Sequence, residues 1–277
     1  MPENPGSEKG AERQAFTIRM NRKIGLVALS RATARCHVAT IMSQPFDVRY
    51  SGTAREGLVD RRARFIVRTY NHLFGAIVAF AGIEFALFST GAAESIVRVM
   101  FGLNWLLILG AFMGVSWLSS HYANTATTKG AQYAGLAGYV VAESIIFVPL
   151  LYVANRFAPG TIQSAGIVTM LGFGGLSAVA FVTRKDFSFL RGFLLYGGIL
   201  SLVLIAAGVL FGFQLGTFFS VGMVAFAGAA ILYDTSNVIH RFPEDRYVGA
   251  ALQLFSSVAL MFWYVLRLLM SMQNSRN

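Results

Sequence analysis

Apolar runs of about 20 residues, separated by short polar segments, fill the chain from Tyr70 onward. A helix of about 20 residues, rising about 1.5 Å per residue, crosses the roughly 30 Å hydrocarbon core of a bilayer. Transmembrane strands would alternate strictly over about ten residues, and these runs do not alternate. The pattern predicts an all-α, polytopic membrane protein with a bundle of seven transmembrane helices. The predicted spans are residues 70–88, 99–118, 134–153, 162–182, 192–210, 214–233 and 247–270.

The segment before the first apolar run is basic and has no helical periodicity in its first 40 residues. We predict a disordered arm over residues 1–63 and a transmembrane domain over residues 64–277. Residues 1–41 precede Met42, whose surroundings are typical of a protein start, so they are interpreted as a gene-model extension or a flexible tail. A mitochondrial transit peptide is the alternative, although Glu3, Glu8 and Glu12 disfavour it because such peptides contain few acids.

The composition of the chain agrees with a protein that is surrounded by lipid. Apolar residues make up 55% of the chain and charged residues 13%, whereas soluble domains carry about a quarter charged residues. The net charge of +10 does not indicate nucleic-acid binding, because the basic residues flank apolar spans instead of covering a polar, aromatic surface. Basic residues next to a span suit lipid headgroups. The predicted partner is therefore the lipid bilayer, and no nucleic acid is expected.

Basic residues in the loops predict the orientation. One set of loops holds Lys129, Arg184, Lys185, Arg191, Arg241 and Arg246, and the other holds Arg98, Arg156 and the tail residue Arg276. Since cytoplasmic loops carry the excess of Lys and Arg, the N-terminus is predicted to be cytoplasmic. The bacterial inner membrane is the expected location, with the mitochondrial inner membrane as the alternative. Only three residues separate the fifth and sixth predicted spans, so the count of seven crossings has an alternative. In that alternative the last span re-enters the membrane and returns to the same side.

Residue types and spacing disfavour enzymatic and metal chemistry. The single cysteine, Cys36, excludes a disulfide framework, and the four histidines lack HExxH spacing. No lysine follows Lys185, which excludes a retinal Schiff base, and Ser177 has no histidine on a later span. We therefore predict no catalytic residue, no metal site and no cofactor.

Ionisable residues inside apolar spans are costly, so each calls for an explanation. Glu84 and Arg267 lie within a turn or two of the predicted outer boundary and are interpreted as interfacial anchors. Glu143 lies mid-span and must face the bundle interior, either hydrogen-bonded to a neighbouring helix or in a proton or cation path. Asp234 ends the sixth predicted span, where an acid opposes the helix dipole, so a stabilising role is poorly motivated.

Five segments carry a family resemblance. They are RFIVRTY at 64–70, TRKDFSFL at 183–190, YDT at 233–235, AALQLF at 250–255 and LRLL at 266–269. In order and spacing they resemble the Bax inhibitor-1 (transmembrane Bax inhibitor motif) family, and the similarity covers the chain from about Arg64. The resemblance implies a seven-helix membrane fold and a passive calcium leak.

The family's leak is implied to be controlled by two aspartates near the cytoplasmic mouth. Asp234 matches the first, whereas the second position falls on Ser257. Two close carboxylates cannot both ionise cheaply, so such a pair senses pH. A serine can donate a hydrogen bond but cannot share a proton at neutral pH. We predict weak or absent pH gating and a poorer calcium site, with Asp234, Ser257 and Glu143 along the path of calcium or protons.

A second hypothesis belongs to another class of function. The chain would be a regulatory membrane protein that conducts nothing and binds a partner such as a membrane protease. The resemblance is compatible with this alternative, because some bacterial relatives look like such regulators.

Overall fold

The computed structural model describes the backbone of residues 48–274 and the side chains of residues 59–274. The predicted extension over residues 1–41 lies outside the described residues. Described residues form eight α-helices and no strand. They are α1 (Val48–Ser89), α2 (Ala92–Gly102), α3 (Trp105–Thr125), α4 (Lys129–Phe157), α5 (Thr161–Thr183), α6 (Leu190–Phe211), α7 (Thr217–His240) and α8 (Tyr247–Asn274). The chain divides into a unit ending at Gly57 and a unit beginning at Leu58, and all that follows concerns the second.

Seven of these helices are long and apolar enough to cross a bilayer. The exception within residues 48–274 is α2, which has 11 residues. The prediction of a polytopic, seven-span helical fold is thereby confirmed. The domain boundary predicted between residues 63 and 64 falls inside α1. The last helix runs for 28 residues without a break, so it is long enough to cross fully.

The second predicted span, residues 99–118, is wrong because the chain breaks within it. Leu103 and Asn104 have extended backbones, and the Asn104 side chain accepts a hydrogen bond of 2.9 Å from the backbone N–H of Leu106. Asn is among the strongest N-cap residues, since its side chain satisfies an N–H that the first turn leaves free. The apolar run is therefore divided between the short helix α2 and the membrane-crossing helix α3.

The seventh helix also differs from its prediction. We predicted an end at residue 233, but α7 continues to His240 and keeps Asp234 inside the helix. Arg62 of α1 donates hydrogen bonds to the carbonyl oxygens of Val238 at 2.7 Å, Ile239 at 2.9 Å and Phe242 at 2.5 Å. The last carbonyls of a helix have no partner within it, and a cation there also complements the dipole. A distant arginine thus supports the additional turns of α7.

Helices α4 and α8 form the centre of the bundle. The last helix packs against α3, α4, α5 and α7, and buried residues lie along most of its length. By contrast, α6 packs against α7 and α3, and Gly208 is its one buried residue. Its exposed apolar side chains, such as Phe193 and Ile199, suit contact with lipid chains.

Close helix contact depends on Gly135 of α4. A Cβ atom there would lie 2.6 Å from the carbonyl oxygen of Ser119 and 2.8 Å from the backbone nitrogen of Ala123, both on α3. Small residues allow this approach in a bilayer, where the hydrophobic effect does not drive helices together. The α3–α4 pair is therefore held at a spacing that only glycine permits.

We predict that Gly135→Ala destabilises the bundle, because the added methyl group meets backbone atoms that cannot rotate away. Overpacking of this kind costs about 1–3 kcal/mol. Thermal unfolding in detergent measures the effect. Gly130→Ala on the same helix is the control, since nothing lies within 4 Å of its added Cβ. Equal melting temperatures for the two variants would contradict the prediction.

We predict that Arg62→Gln loosens the end of α7. Hydrogen bonds to a charged donor contribute roughly 1.5–3 kcal/mol each, so backbone amides near Arg241 and Phe242 should exchange at least about tenfold faster. Hydrogen exchange with mass spectrometry measures this. Arg61→Gln, which removes an exposed neighbour, should leave the exchange unchanged. Unaltered exchange in Arg62→Gln would show that the cap does not hold the helix end.

Candidate functional site

The carboxyl group of Asp234 is buried between α7 and α8 at 5% exposure. Gln253 donates a hydrogen bond from Nε2 to Oδ1 at 2.6 Å, and the hydroxyl of Ser257 donates to Oδ2. Both donors are on α8, four residues apart, so they share one face of that helix. These three residues are called the Asp234 cluster below. Each carboxyl oxygen of Asp234 is satisfied by the neighbouring helix.

Apolar layers above and below enclose the Asp234 cluster. Ile231 and Val238 lie about one turn to either side of Asp234 on α7, and both are almost fully buried. Leu254 and Met261 lie about one turn to either side of Ser257 on α8, and both are buried. A buried carboxyl group is costly unless it is hydrogen-bonded. The two donors on α8 therefore make it possible for an acid to occupy this position.

Three consecutive residues of α7 contact three different elements. Asp234 bonds to α8, the hydroxyl of Thr235 lies 3.4 Å from that of Ser177 on α5, and Ser236 bonds to the α5–α6 loop. Successive residues of an α-helix point about 100° apart, which explains the three directions. Ser177 therefore faces Thr235, and its hydroxyl belongs to a polar contact between helices.

Three loops lie at one end of the bundle, called the basic end below: residues 126–128, 184–189 and 241–246. Lys129, Arg184, Lys185, Arg241 and Arg246 lie in these loops or directly beside them. There Arg241 forms an ion pair of 2.7 Å with Asp186. The Arg241 guanidinium, and then the backbone N–H of Ser188, hold the pKa of Asp186 below its ordinary value. Lys129 donates to the carbonyl of Asp245, and Arg246 donates to that of Ala126 at 2.7 Å. The loops beside the Asp234 cluster are thus tied to one another.

Glu143 occupies a separate place in the bundle. It is 6% exposed on α4, and the hydroxyl of Tyr139, one turn earlier, donates to its Oε1 at 2.9 Å. Its side chain lines a cavity of about 600 Å³ bounded by α3, α4, α6, α7 and α8. The structure therefore brings Asp234 and Ser257 together and places Glu143 apart from them.

The interfacial interpretation of Glu84 is wrong. Its side chain is buried at 7% exposure, and neither carboxyl oxygen has a hydrogen-bond partner among the described residues. Arg267, assigned the same role, is partly buried and donates from Nη2 to the carbonyl of Leu215 at 2.8 Å. Glu84 looked interfacial because sequence distance from a span boundary does not say which way a side chain points.

Gln253 is the member of the cluster that sequence reasoning missed. It lay in the AALQLF segment that carried the family resemblance, but no role was assigned to it. Its spacing of four from Ser257 was the available signal, because residues four apart share a helix face. The pairing of that face with Asp234 required the packing of α7 on α8.

The polar atoms around Asp234 make a weak ligand set for a resident cation. Calcium takes six to eight oxygen ligands, whereas the cluster offers one carboxyl group whose two oxygens already accept hydrogen bonds. Across residues 59–274 there is no group of three or more His, Cys, Asp or Glu side chains that could hold a metal ion. The arrangement fits a group that interacts with a passing ion better than one that retains it.

These features define a polytopic helical membrane protein with a buried acid between its last two spans. A family model described as inhibitor of apoptosis-promoting Bax1 matches residues 62–275. The chain therefore belongs to the Bax inhibitor-1 family, and the resemblance identified from its motifs is confirmed.

Individual relatives support the same assignment. An uncharacterized protein of Pseudomonas aeruginosa is 34% identical over 170 residues, which cover 60% of this chain and 73% of that protein. The modulator of FtsH protease YccA of Escherichia coli is 27% identical over 208 residues, 74% of this chain and 89% of that one. Bax inhibitor 1 of Schizosaccharomyces pombe is 32% identical over 127 residues, 44% of this chain and 46% of that one.

We predict that Ser257→Ala destabilises the protein by leaving Oδ2 of Asp234 buried without its donor. The cost of an unsatisfied buried group is about 1–3 kcal/mol. Chemical or thermal unfolding in detergent measures the loss. Ser116→Ala is the matched control, because the Ser116 hydroxyl is buried without a hydrogen-bond partner among the described residues. The prediction fails if the two variants are equally stable.

Proposed function

We propose that this protein is a passive cation leak, with calcium as the ion that its family suggests, and that Asp234 forms its gate. The observation that carries the proposal is a buried carboxyl group inside a membrane span, six residues before the basic end of α7. Ionisable residues within spans are rare and mark ion pathways and other functional sites. Membership of the Bax inhibitor-1 family supports the same function.

The hydrogen bonds around Asp234 suggest how the gate closes. While Gln253 and Ser257 bond to both oxygens, fewer lone pairs of the carboxyl group are free for an ion, and α7 and α8 stay in contact. Opening requires these two donors to move away, which separates the last two helices at the basic end. The Asp234 cluster is thus a latch between two spans.

The gate differs from one built on two carboxylates. Ser257 offers a hydroxyl that can donate a hydrogen bond but cannot share a proton at neutral pH. Without a second carboxylate, the strong coupling that makes an acid pair sensitive to pH is missing. The leak should therefore respond weakly to pH.

Glu143 is the proposed second acid along the path. It lines the cavity on the side of α4, farther from the basic end than Asp234. An ionisable residue that faces a cavity within a membrane domain is a common mark of an ion or proton path. An ion passing the gate would meet Glu143 next.

We also propose that the basic end faces the cytoplasm of a bacterium, with the protein in the inner membrane. The excess of Lys and Arg in the loops at that end supports this orientation. The location is supported by the Escherichia coli relative with the printed name inner membrane protein YccA. The mitochondrial inner membrane is the alternative location.

A second function is favoured by one comparison. The relative named modulator of FtsH protease YccA is matched over 89% of its length. By analogy, this chain would bind a membrane protease through its lipid-embedded or cytoplasmic surface and conduct nothing.

We predict that purified protein in liposomes passes calcium with little dependence on pH between about 6 and 8. Asp234→Asn should raise the flux, because an amide has one acceptor oxygen and cannot keep both hydrogen bonds of the latch, and Ser257→Asp should create a steep pH response. An encapsulated calcium dye reports the flux. A steep response in the parent protein would contradict the single-carboxylate gate, and absence of calcium flux would reject the leak.

Ser257→Asn is the matched control, because Asn has the size of Asp but no ionisable group. It should not reproduce the pH response of Ser257→Asp. Specific co-purification of a membrane protease with a protein that passes no calcium would support the regulatory function.

A further inference from the structure

The cavity beside Glu143 has the size and lining of a small-molecule site. Its volume is about 600 Å³, and ligand pockets commonly measure about 300–1,000 Å³. Most of its wall is apolar or aromatic, including Trp105, Phe112, Phe147, Phe226 and Trp263. Such a wall favours a ligand with a large apolar part.

Two ionisable side chains, Glu143 and Arg267, lie at opposite ends of this cavity. Along α8 the lining runs from Ala259 to Arg267, eight residues or about 12 Å at the rise of an α-helix. Arg267 bonds to Leu215, so it lies level with the α6–α7 loop, which is at the end of the bundle opposite the basic end.

Glu143 lies deeper in the bundle. On α4 it is four residues after Tyr139, whose ring is 6.1 Å from that of Phe255, and four before Phe147, whose ring is 4.9 Å from that of Trp263. Those contacts place Glu143 level with the region around Ala259, between the two ring pairs. The arginine therefore marks the mouth of the cavity and the glutamate its inner end.

Arg267 has no counterion among the described residues. No carboxylate lies within 4.0 Å of it, and the adjoining loop, residues 212–216, contains no acid. Its guanidinium has five N–H donors, of which one hydrogen bond, to Leu215, is formed. A charge this close to hydrocarbon calls for a partner, and the planar fork of arginine matches a carboxylate.

The wall formed by α6 provides access from the bilayer. This helix packs against α7 and α3, and it contributes the small residues Gly198, Ser201 and Gly208 to the lining. A loosely packed helix with small residues leaves room for a chain to enter from lipid.

We propose that this cavity binds a fatty acid, with its carboxylate on Arg267 and its chain along α8 toward Glu143. One arginine matches one carboxylate, and the apolar wall matches a single hydrocarbon chain. The orientation is also that of a lipid in a membrane, since the headgroup lies near the end of the bundle and the tail points to its centre. The binding site does not depend on the proposed leak.

Tryptophan fluorescence tests the proposal, because Trp105 and Trp263 line the cavity and Trp117 is exposed elsewhere. In a Trp117→Phe background in detergent, a fatty acid brominated at mid-chain should quench the emission saturably. Unbrominated fatty acid should reverse the quenching, and the uncharged brominated methyl ester should quench weakly. Equal, non-saturable quenching by acid and ester would overturn the proposal, since both would then merely partition into the micelle.

Arg267→Gln should weaken binding of the brominated acid by at least about tenfold, because it removes the charge-assisted hydrogen bonds. Arg156→Gln, at the same end of the bundle but outside the cavity lining, is the matched control and should bind like the parent. Undiminished binding by Arg267→Gln would show that the arginine is not the anchor.

Gly198→Leu provides an independent variant if loss of Arg267 impairs folding. A Cβ at Gly198 meets only Phe226, at 3.8 Å, so the side chain has room to extend into the cavity. Saturable quenching should be lost while Arg267 remains. The proposed occupant is wrong if the brominated fatty acid still quenches the emission of Gly198→Leu saturably. It is also wrong if a brominated two-chain phospholipid competes as well as the fatty acid. The binding test does not measure calcium flux, so its result stands even if the protein passes no calcium.

Discussion

The hydrogen bonds of Asp234 with α8 are the interaction on which the rest of the structure depends. In hydrocarbon an acid needs donors from protein, and Gln253 and Ser257 supply one for each carboxyl oxygen. Those bonds fix the rotation and depth of α7 against α8, a helix that also packs against α3, α4 and α5. The neighbouring Thr235 and Ser236 then have only one direction each in which to find partners. A single buried acid thus sets the register of the last two spans.

Arg62 connects the first helix to the same region by hydrogen bonds. Its guanidinium binds three carbonyls at the end of α7, two turns beyond Asp234, so the first and seventh helices meet beside the cluster. Together with the contacts of Lys129, Arg241 and Arg246, this makes the basic end a network of charged donors, of which Arg241 bonds to a carboxylate and the others to backbone carbonyls. Movement of α7 relative to α8 would have to disturb this network. The proposed gate and this network therefore lie at the same end of the bundle.

Much of the fold was predictable because lipid imposes length and composition on every crossing segment. The errors fell where one polar side chain changes the course of an apolar run. Asn104 caps α3 and divides a continuous hydrophobic stretch, and Arg62 prolongs α7 through a contact more than 170 residues away. The Asn104 cap is a local signal, but a hydropathy average over about 20 residues hides it. The second has no local signal, because the donor and the helix end are remote in sequence.

By itself, the sequence determined the solvent and the helical class through residue type and spacing along the chain. Its motifs identified the family, and that resemblance implied a serine in place of a second acid opposite Asp234. Only the tertiary structure decided that Gln253 completes the cluster, that Glu84 is buried, and that Arg267 and Glu143 lie at opposite ends of one cavity. The reason is geometric: periodicity says which residues share a helix face, whereas helix rotation and packing decide what that face meets.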